Sequence, residues 1–345
     1  MKDFIGSEFK VIAVVIVGLL IGELVISRME SRLSIDLHHL KSLEALATNA
    51  VGSQADQTEL TFLFLGNSMT RYGINADVFR EIAGTNAHVP LNITKINPDA
   101  TKIADWYYLY SNYFHEKGRR PDVLVIGFQG DQLADQPTQH LNRLARFYDC
   151  DLNDWPDLQR WDLRGVEQSC SFLVSRISSL HGNRDRFDRR VLDLVVPHYR
   201  ESVKRINQSQ LATRSNSSNA EPTHVTYSRL RRFLDMVHSD GTRLIFVAMP
   251  VAQKYDIDES ARALIAQYGF PLVDCRHVPN LNGDMIPDGI HLNEEGAVRY
   301  TSHLAQSFPW RELVLATELT KGIPAKGRQT VRLVSGESAE GEVVR

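Results

Sequence analysis

Cysteine is scarce in this chain of 345 residues, with only three: Cys150, Cys170 and Cys275. An odd number cannot form a complete disulfide framework, and their spacing matches no metal-binding pattern. One bridge, Cys150 to Cys170, stays open in an oxidising compartment; buried or idle thiols are the simpler reading. An excess of one charge is also lacking, since 39 Lys and Arg face 42 Asp and Glu for a net charge of -3. Arg184, Arg186, Arg189 and Arg190 are interleaved with Asp185 and Asp188. That mixture marks a solvated helix face rather than a phosphate track, which excludes nucleic acid as a partner. There is no internal repeat, and the polar low-complexity stretches, 207–219 and the residues after Lys321, are too poor in apolar residues to build core.

What is present is ample apolar material: 43% hydrophobic residues against 23% charged, enough for one large core in one or two domains. One run dominates. Val11 to Ser27 reads VIAVVIVGLLIGELVIS between Lys10 and Arg28, just within the ~17–25 residues of a membrane-spanning helix. Its single charge, Glu23, lies near one end. Arg28, Met29, Glu30 and Ser31 follow where a signal peptide needs a small-residue cleavage site, so an uncleaved single-pass anchor is the reading preferred over a signal peptide or a buried soluble helix. Lys2 and Lys10 on one side balance Arg28 and Arg32 on the other, and charge counting leaves the orientation open.

Behind the anchor, Leu33, Leu37, Leu40, Leu43 and Leu46 recur at helical spacing and predict an amphipathic stalk that ends in a polar linker. From Leu60 onward, apolar runs alternate with helical patterns. The runs are TFLFL at Thr61, LNITKI at Leu91, DVLVIGF at Asp122, LIFVAM at Leu244 and PLVD at Pro271; the last helix covers Glu294 to Ser307. Such alternation predicts an α/β fold of three layers, a parallel five-stranded sheet with helices on both faces and its functional loops at the carboxyl ends of the strands. Residues 133–226 break the alternation and read as an insertion, expected as a cap over the site. The resulting organisation is a short segment 1–10, a transmembrane anchor 11–27, a stalk and linker 28–59, the α/β domain 60–310 and a flexible tail 311–345.

Two separated motifs carry chemistry. TFLFL runs into Gly66-Asn67-Ser68-Met69, with Asn75 as the N-cap of the helix beyond. Ser68 thus sits in a strand-to-helix turn, where an exposed hydroxyl lies beside backbone N–H groups able to hold an oxyanion. On its own such a turn is a weak signal, because many of its serines only hydrogen-bond locally. The second motif, IPDGIHLNEEG, places Asp288 and His291 three residues apart in the loop before the last helix. A carboxylate folded back on the imidazole would fix its tautomer and leave the other nitrogen for a serine proton. An isolated pair of this kind reads equally as a capping Asp and a surface His. His291 with Glu294 and Glu295 has no second ligand cluster at useful spacing, so no metal and no cofactor are expected.

Together these motifs resemble the SGNH (GDSL-like) hydrolase family over about Leu60 to Ser307, in which a serine after the first strand pairs with a late Asp-x-x-His block. The anchor and the segments DWYYLYSNYF at Asp105 and RPDVLVIGF at Arg120 are similar to the membrane-anchored branch related to cell-surface polysaccharide acylation. The resemblance implies a flavodoxin-like strand order, Ser68 as nucleophile, His291 as general base and then acid, and Asp288 as its orienting partner. It also implies an oxyanion hole from the Ser68 amide and two further blocks. Here the sequence departs from the family: Asp99 or Ala100 stands in place of a glycine amide, and Gly127-Phe128-Gln129 replaces Gly-x-Asn. Gln129 keeps an amide donor. The implied activity is a membrane-anchored serine esterase or O-acyltransferase acting on acyl, chiefly acetyl, esters of an extracytoplasmic carbohydrate. The alternative is a catalytically degenerate carbohydrate-binding or scaffold subunit of an envelope complex.

Overall fold

A computed structural model of the chain describes residues 2–52, 59–87, 90–199, 201–202, 205, 225–310 and 313. The expected tail 311–345, apart from Leu313, and the polar stretch 207–219 lie outside the described residues. Five parallel strands form one sheet in the order β2-β1-β3-β4-β5: β1 (Leu60–Leu65), β2 (Leu91–Ile96), β3 (Val123–Phe128), β4 (Arg243–Ala248) and β5 (Leu272–Asp274). This is the flavodoxin-like order. Every residue of β1 and β3 is buried, because helices cover both faces and the strands therefore read as unbroken apolar runs.

Alternation along the strands divides the core into two layers. Leu63, Leu65, Leu124, Ile126, Leu244 and Phe246 meet α2 (Ile35–Lys41), α3 (Leu43–Asn49), α6 (Ile103–Tyr110), α12 (Ser228–Ser239) and α13 (Glu259–Gln267). Phe62, Phe64, Val125 and Val247 face α5 (Ala76–Ala87) and α14 (Glu294–Ser307). There Phe62 and Phe79 pack edge to face with centroids 5.7 Å apart. β1 pairs with both β2 and β3, so chain connections diverge between β1 and β3. A crevice opens at the carboxyl ends of two strands that diverge in this way.

The segment expected as a stalk belongs to the domain instead. Leu33, Leu37, Leu40, Leu43 and Ala47 are buried in the same cluster as Trp106 and Leu63, and Ser34 caps α2 by accepting from the Leu37 N–H at 3.0 Å. The leucine stripe is a core-facing surface whose partner lies elsewhere in the chain. The polar side of α2 is used as well: Asp36 accepts the Asp99 N–H at 2.9 Å and His39 Nε2 accepts the Asn97 N–H at 2.9 Å. Burial and the nearby Arg71 push the His39 imidazole down to about 4, which keeps that nitrogen unprotonated as an acceptor.

Ahead of this, α1 (Lys2–Met29) supplies most of the Glu8–Arg32 stretch, which is long and apolar enough to cross a membrane. The insertion supplies α7 (Leu141–Arg146), α8 (Trp155–Trp161), α9 (Gly165–Ile177), α10 (Ser179–Gly182) and α11 (Arg184–Val195). Tyr107 and Tyr108 of α6 donate to Asp157 and Asp162 at 2.6 and 2.9 Å, and Arg229 of α12 pairs with Asp162 at 3.0 Å. These contacts fix the insertion against the α6 and α12 layer. Cys150, Cys170 and Cys275 are all free, and Cys170 is exposed.

Because Leu37 is fully buried, Leu37→Ala is expected to lower stability by about 2–5 kcal/mol. Urea titration of the detergent-solubilised chain measures it, and an unchanged midpoint would restore the stalk.

Candidate functional site

At the end of β1 the chain turns so tightly that a Cβ on Gly66 would lie 2.1 Å from Thr70 Oγ1. Only glycine fits. Asn67 then caps α4 (Ser68–Gly73), its Oδ1 accepting from the Met69 N–H at 2.9 Å while its Nδ2 donates to Thr101 O at 3.1 Å. Ser68 is therefore the first residue of a helix, where backbone N–H groups lack intrahelical acceptors. The half-buried hydroxyl stands at the rim of the sheet beside the β1–β3 crevice.

The opposing wall is the loop before α14. Gly289, with φ +82°, closes a turn in which its N–H donates to Ile286 O at 2.9 Å. Asp288 Oδ1 accepts the N–H groups of Ile290 and His291 at 3.0 and 2.7 Å, and Oδ2 meets His291 Nδ1 at 2.6 Å. His291 Nε2 lies 2.8 Å from Ser68 Oγ. The carboxylate holds the proton on Nδ1, which leaves Nε2 as the acceptor facing the serine. Partial burial acts to raise the Asp288 carboxyl, but the His291 and Ile290 N–H groups and the His291 ring outweigh it and bring the carboxyl down to about 2.

Helix α14 is pinned to α4 directly. Thr301 Oγ1 donates to Gly73 O at 3.0 Å and accepts the Asn75 N–H at 3.0 Å. Asn293 caps α14 by accepting from Gly296 N at 2.9 Å, and Asn75 caps α5 by accepting from Asp77 and Val78. Over the imidazole lies the exposed Tyr72 ring, edge-on with centroids 5.4 Å apart. On the far side of the loop, Ala252 N–H donates to Gly289 O at 3.0 Å. Beside this contact is a cavity of about 320 Å³ lined by residues including Lys254, Tyr255, Arg276 and His277.

The structure brings Ser68, Asp288 and His291 together but does not offer Asp99 as expected. The Asp99 amide is committed to Asp36, its carboxylate faces Arg71 Nη1 at 2.8 Å, and its carbonyl accepts from Arg143 at 2.5 Å. Burial raises the Asp99 carboxyl above its usual value, with Arg71 opposing and Asp36 adding to the rise. The physical reason is α2: the supposed stalk helix delivers Asp36 as acceptor for the amide that an oxyanion would need. Gln129, at the end of β3 across the crevice, gives its N–H to Gln132 Oε1 at 3.0 Å. Among the described residues none accepts from its side-chain amide, which leaves that donor uncommitted.

Sequence reasoning missed Asn67, Arg71 and Asp36. Asn67 was within reach, because an Asn directly before a helix is a capping signal. Arg71 and Asp36 were not, since nothing local couples residues 36 and 71 to residue 99.

A scan against protein-family models finds no match, and a search of curated proteins finds none either. Among solved structures, the chain is similar to a mutant of Axe2, an acetyl-xylooligosaccharide esterase from Geobacillus stearothermophilus. The TM-score is 0.37 at 10% identity, over 76% of this chain and 98% of that one. A second similar structure is LAE5, an alpha/beta hydrolase enzyme from the metagenome of Lake Arreo, Spain, with a TM-score of 0.33 at 11% identity, over 77% and 95% of the two chains.

The depressed Asp288 carboxyl has a sign. Between its ordinary 3.8 and about 2, the unfolded chain binds more protons than the folded one, so stability contributed above pH about 4 is lost as pH falls through about 2. Asp288→Asn is expected to flatten the dependence of melting temperature on pH in that window, by a margin that solvent exposure keeps small. A mutant curve parallel to the parent's would remove Asp288 from the loop's electrostatics.

Proposed function

We propose that the chain is a membrane-anchored serine esterase or O-acyltransferase of the SGNH type. The observation that carries this reading is the continuous chain Asp288 to His291 to Ser68, joined at 2.6 and 2.8 Å. Ser68 Oγ attacks an ester carbonyl carbon as its proton passes to His291 Nε2. The tetrahedral oxyanion is met by the Ser68 N–H and the Gln129 side-chain amide, and Asp288 stabilises the imidazolium. Collapse expels the alcohol, which takes the proton from His291 and leaves an acyl-serine. Water or a sugar hydroxyl then attacks that ester, with His291 again accepting and returning a proton.

An acylated carbohydrate is the substrate class we favour. Tyr72 supports it by offering an exposed apolar ring directly beside His291, and an anchor concentrates the enzyme near surface polymers. We place the domain on the extracytoplasmic side for the same reason. Partnership with other envelope proteins belongs to this reading. A second reading, a degenerate carbohydrate-binding relative, draws on one observation: the Asp99 amide is spent on Asp36, which thins the donor set around the oxyanion.

A fluorophosphonate probe incubated with the detergent-solubilised full chain is expected to modify Ser68, located by peptide mass mapping. Ser68→Ala is expected to lower turnover of a small acetyl ester by roughly 10⁶-fold, and Asp288→Asn by roughly 10⁴-fold. Absence of labelling in a folded, monodisperse sample would favour the binding protein.

A further inference from the structure

The membrane helix does not simply end above the domain. Its last turns turn one face to the protein: Gly22, Glu23 and Ile26 are half-buried and Glu30 is buried, while the flanking positions stay exposed. Leu180 of α10 lies 3.6 Å from where a Cβ on Gly22 would be. Glu23, the one charge in the apolar run, accepts the Ser178 hydroxyl at 2.7 Å, the Leu180 N–H at 3.1 Å and the Ser179 N–H. The run's single carboxylate is thus consumed by the start of α10.

The lengths then conflict with a simple tether. Val11 to Gly22 spans roughly 18 Å as helix, against ~30 Å of hydrocarbon in a bilayer. If Lys10 marks one boundary, Glu23 and the α10 start that satisfies it lie within the depth of the opposite leaflet. Polar backbone is tolerated there only when it is paired, as it is here. Both helices that flank α10 in the chain carry exposed apolar side chains. Leu173, Val174 and Ile177 lie on one face of α9, with Ile177 84% exposed, and Leu194 and Val195 at the end of α11 are 87% and 71% exposed.

We infer that the end of α9, α10 and the end of α11 form a second membrane contact, an apolar shoulder that enters the acyl-chain boundary of the leaflet beside α1. The occupant of this surface is lipid. Ile177 at the end of α9 leads directly into Ser178 and α10, which meets α1 at Glu23 and Gly22, and lipid around such a shoulder would make up the hydrophobic length that α1 alone lacks. The inference requires α1 to span the bilayer and is independent of the chemistry at Ser68.

The test uses the full chain with Cys170→Ser, one added cysteine at a time (Ile177→Cys, Leu194→Cys, Leu19→Cys or Val298→Cys), and an environment-sensitive fluorophore attached to the folded protein, in which Cys150 and Cys275 are buried. The proteins are reconstituted in phosphatidylcholine and phosphatidylglycerol vesicles, with and without brominated acyl chains. Labels at 177 and 194 are expected to be quenched by bromine well above the label at 298 on α14, and to approach the label at 19 in the span. Quenching no greater than at 298 would overturn the shoulder. So would protection of the 177 and 194 labels from aqueous iodide without bromine quenching, because protein would then cover the face. An unquenched label at 19 would instead overturn the span itself.

Discussion

The hydrogen bond from Ser68 to His291 joins residues 223 positions apart, and the fold serves to make that distance short. A parallel sheet sends every strand in the same direction, so its right-handed crossovers collect strand ends at one rim. β1 delivers Ser68 to that rim, and the loop before α14 delivers His291. The last ångströms come from Thr301, which ties α14 to Gly73 and Asn75 on either side of the α4–α5 junction. Packing of α5 and α14 on Phe62 and Phe64 holds this junction in place.

Much of this was legible in the sequence because it depends on local signals. Unbroken runs such as LTFLFL and VLVIGF mark strands buried on both faces, and the last helix, expected over Glu294 to Ser307, is one that the structure keeps. The Ser68, Asp288 and His291 positions follow from strand order, from the turn at Gly66 and from the three-residue spacing of Asp288 and His291 in the loop before the last helix. The illegible parts depend on tertiary neighbours. A leucine stripe from Leu33 to Leu46 does not state what it packs against, and so a core layer read as a stalk. The same error hid Asp36, and with it the reason the Asp99 amide points away from the crevice.

The charged cluster under the site follows from that arrangement. Asp36 lies 3.6 Å from Arg71, 3.0 Å from Arg143 and 3.5 Å from Arg186, so one buried carboxylate links α2, α4, α7 and α11. Removing one member would leave partners charged and buried, a loss of about 3–5 kcal/mol in such settings. The insertion is therefore bound to the same electrostatic centre that fixes the loop after β2, although no strand passes between them.

Glu30, directly after the apolar helix, clasps that end of the chain to the domain. Nearly inaccessible to solvent, it accepts from Arg146 at 3.0 Å, from Asn183 at 2.6 Å and from Lys41 at 3.1 Å. A protease that cut the chain ahead of residue 30 would remove the apolar helix and spare this clasp. A cut just after it would strand the Arg146 guanidinium in the interior without its carboxylate. Loss of the apolar helix and loss of the clasp are thus separable events, decided by which of the few residues between the end of the apolar run and the first turn of the domain is cut.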